Sequence, residues 1–557
     1  MSSAGDRSDP GGAAGPGDLA GTGGAARTSD GTNTVRGLID RQRALRPDAI
    51  YAVATEGAHE LSFGALASSC QAVSGLLRSL GSCPGEHVSV VMPNGLGTLT
   101  ILLGALYGGW CVNPVNLLSQ PAQMQYVLEH ADARIVLVSP EWEARIRAMT
   151  ASISRPITIV VVDPDATTLD ALTPHTSTLP NLPPRFDAVP GAAPTAADDP
   201  PRPDALALLM YTSGTTGKPK GVMLTQANLA ASAIAISAEH QLSERDRVLA
   251  VLPLYHINAF AVTMLSPLAH GGSLVMPPRF SAAAFWQQAI RFRCTWINVV
   301  PTIIAYLLEG DAPGAPGAEP ALTAIRFCRS ASAALAPEHH RAFERKFGIG
   351  IIETMGLTET VAPSFSNPLQ AGQRKIGSVG RPSGCEARVA DPSGRSVPDG
   401  ETGEILLRGP QVMLGYYKND EATRAAFHAD RWLRSGDLGH RDADGFFFIT
   451  GRIKELIIKG GENIAPREID EALLGHDAVL DAAAVGIPDK HYGQEIMACV
   501  VLRPGMDCTE QALRAFCTQV LGRYKTPRVI LFVPDLPRGP SGKVQRLKLL
   551  DLLPTGS

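Results

Sequence analysis

The densest chemistry in this chain lies in Tyr211-Thr212-Ser213-Gly214-Thr215-Thr216-Gly217-Lys218-Pro219-Lys220-Gly221. Its glycines allow close backbone approach to a ligand and angles closed to other residues. The hydroxyls of Thr212, Ser213, Thr215 and Thr216 and the loop N–H groups can donate to phosphate oxygens, while Lys218 and Lys220 offset their charge. This is the composition of a polyphosphate cradle. It is not a Walker A loop, which places four residues between its first glycine and Gly-Lys-Ser/Thr. Here two residues separate Gly214 from Gly217, and Pro219 after Lys218 disfavours direct entry into a helix. The competing reading is a plain polar surface loop; eleven residues this enriched favour phosphate.

Such a loop needs a rigid mount, and Leu206–Tyr211 supplies a buried strand running straight into it. Upstream, the strand-like runs His87–Met92, Ala133–Val138 and Ile157–Val162 alternate with helical stretches at Val35–Pro47 and Leu118–His130. That alternation predicts a mainly parallel, layered α/β sheet. Leu96–Val112 is apolar but carries Gly97, Gly104, Gly108 and Gly109 and lacks basic flanks, so it reads as a buried helix and not a membrane span. Leu182–Pro203, rich in Pro, Ala and Asp, reads as a surface linker. A second boundary falls near Gly451: a turn at Asp442–Gly445 and a strand at Phe446–Thr450 precede it, and a helix at Glu468–Leu474, a strand at Ala482–Val485 and a helix at Glu510–Leu521 follow. The expected organisation is a disordered tail (1–33), a large N-terminal multi-layer α/β domain (34–450) and a small C-terminal α+β domain (451–557).

Composition narrows the function. Of 557 residues, 45% are hydrophobic and 19% charged, enough for large cores. A net charge of −4 argues against a nucleic-acid partner held by bulk positive charge. The nine cysteines are scattered without a CxxC pair, which disfavours zinc or a disulfide framework and fits a reducing compartment. Residues 1–33 have no apolar segment of a signal peptide, so a cytoplasmic protein without integral membrane association is expected.

Five further segments join the loop: Ser330-Ala331-Ser332-Ala333-Ala334-Leu335-Ala336-Pro337, Glu353-Thr354-Met355-Gly356-Leu357-Thr358-Glu359-Thr360, Trp432-Leu433-Arg434-Ser435-Gly436-Asp437-Leu438, the stretch Gly451–Asn463, and Pro537–Arg546. Together they resemble the adenylate-forming superfamily of acyl-CoA synthetases, aryl-CoA ligases, luciferases and adenylation domains, over residues 36–550. The resemblance implies a large α/β domain with a small mobile C-terminal domain, and ATP, Mg²⁺ and CoA as cofactor and co-substrates. It implies that the phosphate loop, Ala333, Ala334, Glu353, Thr354, Met355 and Gly356 hold ATP or AMP. Met355 stands where the family usually has an aromatic residue; its thioether can still cover an adenine face. By the same resemblance Thr358 takes the α-phosphate and Glu359 the Mg²⁺. Asp437 accepts from the ribose hydroxyls, Arg452 contacts ribose, Lys454 is the interdomain hinge, and Lys459, Gly460 and Gly461 approach the pantetheine arm of CoA. Lys543 matches the catalytic lysine that bridges carboxylate and α-phosphate during adenylation.

The acyl pocket implied by these matches draws on His256, Asn258, Ala259, Val300, Thr302, Ser330, Ser332, Leu357, Ala362 and Ser364. Phe327–Pro337 and Ser366-Asn367-Pro368-Leu369 resemble short-acid ligases, with oxalate–CoA and sulfoacetate–CoA ligases the nearest, and Arg329 could pair with a second anionic group. Ala362 departs from plant oxalate ligases, which carry His there. The function expected is ATP-dependent activation of a short, dianionic acid as an acyl adenylate, followed by thioester formation. A medium-chain fatty or aromatic acid, a free-standing carrier protein as acceptor, and a non-catalytic nucleotide-binding protein remain the alternatives.

Overall fold

A computed structural model of the chain describes residues 33–166, 199–212, 218–310, 319–539 and 544–553. The proposed tail (except residue 33), most of the proposed linker, the loop tip Ser213–Gly217 and Lys543 lie outside the described residues.

Two large sheets form the body. A seven-stranded sheet runs in the order 415–416, 220–225, 206–212, 111–114, 87–91, 135–138, 158–161. A nine-stranded sheet runs 381–382, 365–366, 351–355, 327–330, 296–299, 247–249, 273–276, 50–54, 60–62. In the nine-stranded sheet the interior pairings are parallel and both ends antiparallel; in the seven-stranded sheet the pairing is parallel from 206–212 out to the 158–161 edge and antiparallel at the other end. The interior strands are short and apolar; Ile135–Val138 is buried at all four positions, as parallel strands covered on both faces must be. One apolar core joins the two sheets and includes Phe63, Leu66 and Val73 of the helix Phe63–Ser79 and Leu99 and Leu102 of the helix Leu96–Gly108.

The apolar run Leu96–Val112 is therefore two elements. The helix ends at Gly109, whose φ of 90° caps it in the left-handed region, and the strand Cys111–Pro114 follows. Gly104 lets this helix approach its neighbour closely: a Cβ there would stand 2.6 Å from the Cβ of Val73. Among the described residues no helix is long and apolar enough to cross a membrane.

The expectation of a mainly parallel sheet misses one unit. Residues 386–390, 403–408, 433–441 and 447–452 form a four-stranded antiparallel sheet after the parallel ones. Its strands are half-buried and interrupted by register shifts, so their alternation is weak in the sequence.

The five-stranded sheet from Ile457 to Phe532 has a separate core, with Ile457, Ile469, Leu473, Ile496, Val500 and Leu513 at its centre. The helices Pro466–Leu474 and Glu510–Lys525 pack on it. Its central hairpin, Val479–Asp489 with Gly493–Leu502, is longer than the expected Ala482–Val485 because cross-strand pairing carries the extended backbone through Gly486 and Pro488. The C-terminal segment is tied back by Arg546, which pairs with Asp470 and Glu455 and donates to the Ala484 carbonyl at 2.9 Å.

Two outcomes test this packing. Arg546→Ala strands the buried Asp470 carboxylate and is expected to cost about 3 kcal/mol, read as a lower denaturation midpoint of the small domain. Glu353, fully buried on the strand Ile351–Met355, has its carboxyl pushed up to about 7 by burial. The folded chain then holds that proton more tightly than the unfolded one, so stability is highest below the ordinary value of 4.5 and falls as pH rises towards 7. Glu353→Gln should raise the thermal midpoint at pH 8 and leave it nearly unchanged at pH 4.5; an equal shift at both values would contradict this origin.

Candidate active site

The site gathers at the carboxyl ends of parallel strands, where ligands of open α/β sheets bind. Trp296–Val299, Phe327–Ser330 and Ile351–Met355 lie side by side, with Val299 opposite Ser330 and Ser330 opposite Glu353. The Thr354 hydroxyl donates to the Ser330 carbonyl at 3.3 Å, and the Leu335 N–H donates to the Glu353 carboxylate at 3.2 Å. These bonds hold the small-residue loop against the next strand and leave Ala333 and Ala334 exposed. Ser332 sits at φ 74°, an uncommon backbone for a non-glycine residue and a feature that clusters at functional sites.

After Met355 the chain makes a tight crossing. A Cβ on Gly356 would come within 2.8 Å of the Cα atoms of Ala362 and Pro363, so only glycine passes there. Thr358 and Glu359 follow in a single helical turn, half-buried, with the Leu357 N–H donating to Thr360 Oγ1 at 3.1 Å. The Tyr416 hydroxyl donates to Glu359 at 2.8 Å, and Lys220 Nζ lies 4.9 Å from the centre of the Tyr416 ring. Tyr416 thus links the far flank of the phosphate loop to the carboxylate. Sequence reading missed it, because the link depends on Tyr416 pairing with Val222 of the strand Lys220–Thr225.

The phosphate loop itself joins two antiparallel strands, with Thr212 opposite Lys220 at its neck. The bar to a helix at Pro219 is met by the strand Lys220–Thr225. Lys218 is exposed, its Nζ 5.8 Å from the centre of the Tyr126 ring.

Asp437 and Arg452 face each other across the antiparallel sheet, Nε donating to Oδ1 at 2.5 Å. The neighbouring carboxylate holds Arg452 above the ordinary arginine value, hence charged. Asp437 is 4% exposed, and its Oδ2 is buried with no hydrogen-bond partner among the described residues. An unsatisfied buried carboxylate oxygen is costly, and a hydroxyl donor from a ligand would relieve it.

In the acyl-pocket region Asn258 opens the helical segment Asn258–Leu265 and donates from Nδ2 to Ser332 Oγ at 3.2 Å. Its Oδ1 accepts from Arg329 at 2.8 Å and from Asn298 at 3.4 Å. Ser330 is fully buried, and its hydroxyl has no partner among the described residues. His256 is half-buried with its ring 4.8 Å from that of Tyr255, Leu357 is half-buried, and Ala362 packs under Gly356. Asn298, on the strand beside Arg329, is the second residue that sequence reading missed.

Lys454 lies exposed in the turn Ile453–Glu455 between the antiparallel sheet and the small domain. The Lys459 side chain is buried, pairs with Glu495 and donates to the Tyr524 carbonyl at 2.8 Å. Its ammonium group is therefore committed inside the small domain, and the exposed parts of this stretch are Gly460 and Gly461. Pro540–Lys543 lie outside the described residues; on either side of them Arg538 pairs with Val544 and the Gln545 N–H donates to the Pro537 carbonyl at 2.8 Å.

Among the described residues no three metal-ligating side chains cluster. A magnesium ion bound by one carboxylate completes its shell with phosphate oxygens and water. Glu359, oriented by Tyr416 beside the phosphate-loop flank, fits that requirement.

The chain matches the AMP-binding enzyme family over residues 39–417 and the AMP-binding enzyme C-terminal domain over residues 468–543. It is 57% identical over 519 residues to the sulfoacetate–CoA ligase of Cupriavidus necator, covering 93% of this chain and 98% of that one. It is 35% identical over 519 residues to an oxalate–CoA ligase of Arabidopsis thaliana, covering 92% and 98%. Among solved structures, ATP-bound MatB from Rhodopseudomonas palustris superposes with a TM-score of 0.81 at 28% identity, covering 93% of this chain and 99% of that one. O-succinylbenzoate coenzyme A synthetase (MenE) from Bacillus subtilis, in complex with ATP and magnesium ion, gives a TM-score of 0.77 at 26% identity, covering 92% and 99%. With strand ends, loop neck and paired Asp437–Arg452 brought together in one fold, the chain belongs to the AMP-binding enzyme family and is an adenylate-forming acid–CoA ligase that uses ATP and CoA.

Proposed function

We propose that the acid this ligase activates is short and carries a second anionic group, with sulfoacetate the leading candidate. The observation that carries this reading is the 57% identity to a sulfoacetate–CoA ligase along nearly the whole of both chains. The buried Ser330 hydroxyl, without a hydrogen-bond partner among the described residues, supports it, since a fatty chain or an aryl ring would leave it unpaired.

In this reading the acid's carboxylate oxygen attacks the α-phosphorus of ATP, the bond to the bridging oxygen breaks, and pyrophosphate leaves. Magnesium, when bound, supplies positive charge to the phosphate oxygens as charge shifts onto the leaving group. The loop from Thr212 to Lys220 binds the polyphosphate through Ser213, Gly214, Thr215, Thr216, Gly217 and Lys218, and Thr358 donates to the α-phosphate. Glu353, Thr354, Met355, Gly356, Ala333 and Ala334 line the adenine side. Asp437 takes the ribose hydroxyls through its unpaired oxygen, oriented by Arg452. Lys543 neutralises charge between carboxylate and phosphate, and positioning with charge neutralisation supplies most of the rate. The small domain, residues 451–557, then turns about Lys454, withdraws Lys543 and brings Gly460 and Gly461 towards the arm of CoA. The thiolate sulfur attacks the acyl carbon, a thioester bond forms, and AMP leaves with the electron pair of the broken acyl–phosphate bond.

Pyrophosphate release with ATP and magnesium, over sulfoacetate, oxalate, malonate, acetate, hexanoate and benzoate, with and without CoA, tests the substrate class. Highest CoA-dependent turnover with sulfoacetate is expected; a preference for hexanoate or benzoate refutes the reading, and adenylation that CoA fails to discharge points to a carrier thiol. Lys543→Ala should lower pyrophosphate release by about 100-fold or more, while thioester formation from preformed acyl adenylate stays within about threefold. Asp437→Ala should raise the KM for ATP by about tenfold, and an unchanged KM would remove Asp437 from the ribose site.

A further inference from the structure

Arg329 is 0% exposed and among the largest fully buried side chains of the protein. Its Nη1 donates to Asn258 Oδ1 and to Asn298 Oδ1, each at 2.8 Å. Both acceptors are neutral amides. Among the described residues no carboxylate lies within ion-pairing distance of it, and burial alone, with no charged partner, draws its guanidinium down to about 9. It stays charged at neutral pH. The titratable neighbour it acts on, His240, is fully buried, and burial together with the Arg329 charge holds it down at about 3, so it is neutral and supplies no counter-charge.

A guanidinium has five N–H donors in a fixed fork. Here the two on Nη1 are occupied, whereas Nε and Nη2 are buried with no partner among the described residues. Those two nitrogens form the edge that meets a carboxylate or sulfonate with two parallel hydrogen bonds. An unpaired buried charge destabilises a fold by several kcal/mol, and an apolar residue of similar size would relieve that cost. Packing therefore gives no reason for arginine at this position, but an arriving anion does. The charge also adjoins the acyl region: Asn258 joins it to Ser332 in the loop after the same strand, and Asn298 lies beside it on the neighbouring strand.

We infer that Arg329, held in place by Asn258 and Asn298, is the receptor for the second anionic group of the acid, and that its unpaired Nε–Nη2 edge selects acids with such a group over monoanions. This rests on the short-dianion reading and adds the residue that enforces it. Arg329 is a binding residue for the distal group, and Asn258 and Asn298 position it.

The test compares sulfoacetate with methylsulfonylacetate, a close isostere whose distal group is uncharged, on the wild-type enzyme. A loss of about 100-fold in kcat/KM for the isostere is expected, as for removal of a charge-assisted bidentate pair. Turnover of sulfoacetate with the isostere within about threefold would overturn the receptor while leaving the substrate reading intact. No turnover of any two-anion acid, with acetate or hexanoate accepted, would overturn both. Arg329→Met should lower kcat/KM for sulfoacetate by about 100-fold, spare the isostere and leave the KM for ATP unchanged; an equal loss for both acids would make Arg329 a structural residue. If that variant fails to fold, the wild-type comparison decides alone.

Discussion

The pairing of Phe327–Ser330 between Trp296–Val299 and Ile351–Met355 sets which chemical groups can meet. Strand side chains alternate in direction, so one register places Arg329 beside Asn298 on one face and brings Ser330 level with Glu353 at the strand ends. A slip of one residue would turn the guanidinium to the opposite face and pull the small-residue loop away from its anchor on Glu353. These strands are buried on both faces, so that slip would force Phe327 and Ile352 into space packed around smaller or polar neighbours. The hydrophobic core therefore fixes the active site's alignment as much as it stabilises the fold.

Two electrostatic arrangements share a logic around this frame. Asp437 is held by Arg452 through one oxygen, and Glu359 is held by Tyr416 through one oxygen. Each carboxylate is oriented without every acceptor site being filled. Arg329 repeats the pattern with the sign reversed, two N–H groups fixed and an edge left open. Preorganisation of this kind reduces the ordering that a bound ligand must impose and so favours tight, specific binding.

The sequence carried the site well where its parts are contiguous. The phosphate-loop motif and the segment Glu353–Thr360 are each legible because each is a run of consecutive residues. The strand into the loop and the proline bar to a helix could be read for the same reason, because local backbone preference decides both. What sequence could not carry depends on distant pairing. Tyr416 acquires its role from Val222, Asn298 from Arg329, and the antiparallel sheet from partners that its half-buried strands do not advertise. Lys459 is the reverse case: a lysine in an exposed-looking hairpin turns inward because Glu495 lies within reach on an adjoining strand. Lys543 and the loop tip Ser213–Gly217 are known from sequence alone.

Arg546 contacts Glu455, in the turn that holds Lys454, and also Asp470 in the core helix of the small domain. Three residues before it is Lys543. The guanidinium therefore works as a rivet between the turn that holds Lys454, the body of the small domain and its own C-terminal segment. The proposed turn about Lys454 would then carry the segment from Val544 onward with it, as a crank moves its pin. In the proposed mechanism one joint would then govern both half-reactions and make them take place in turn.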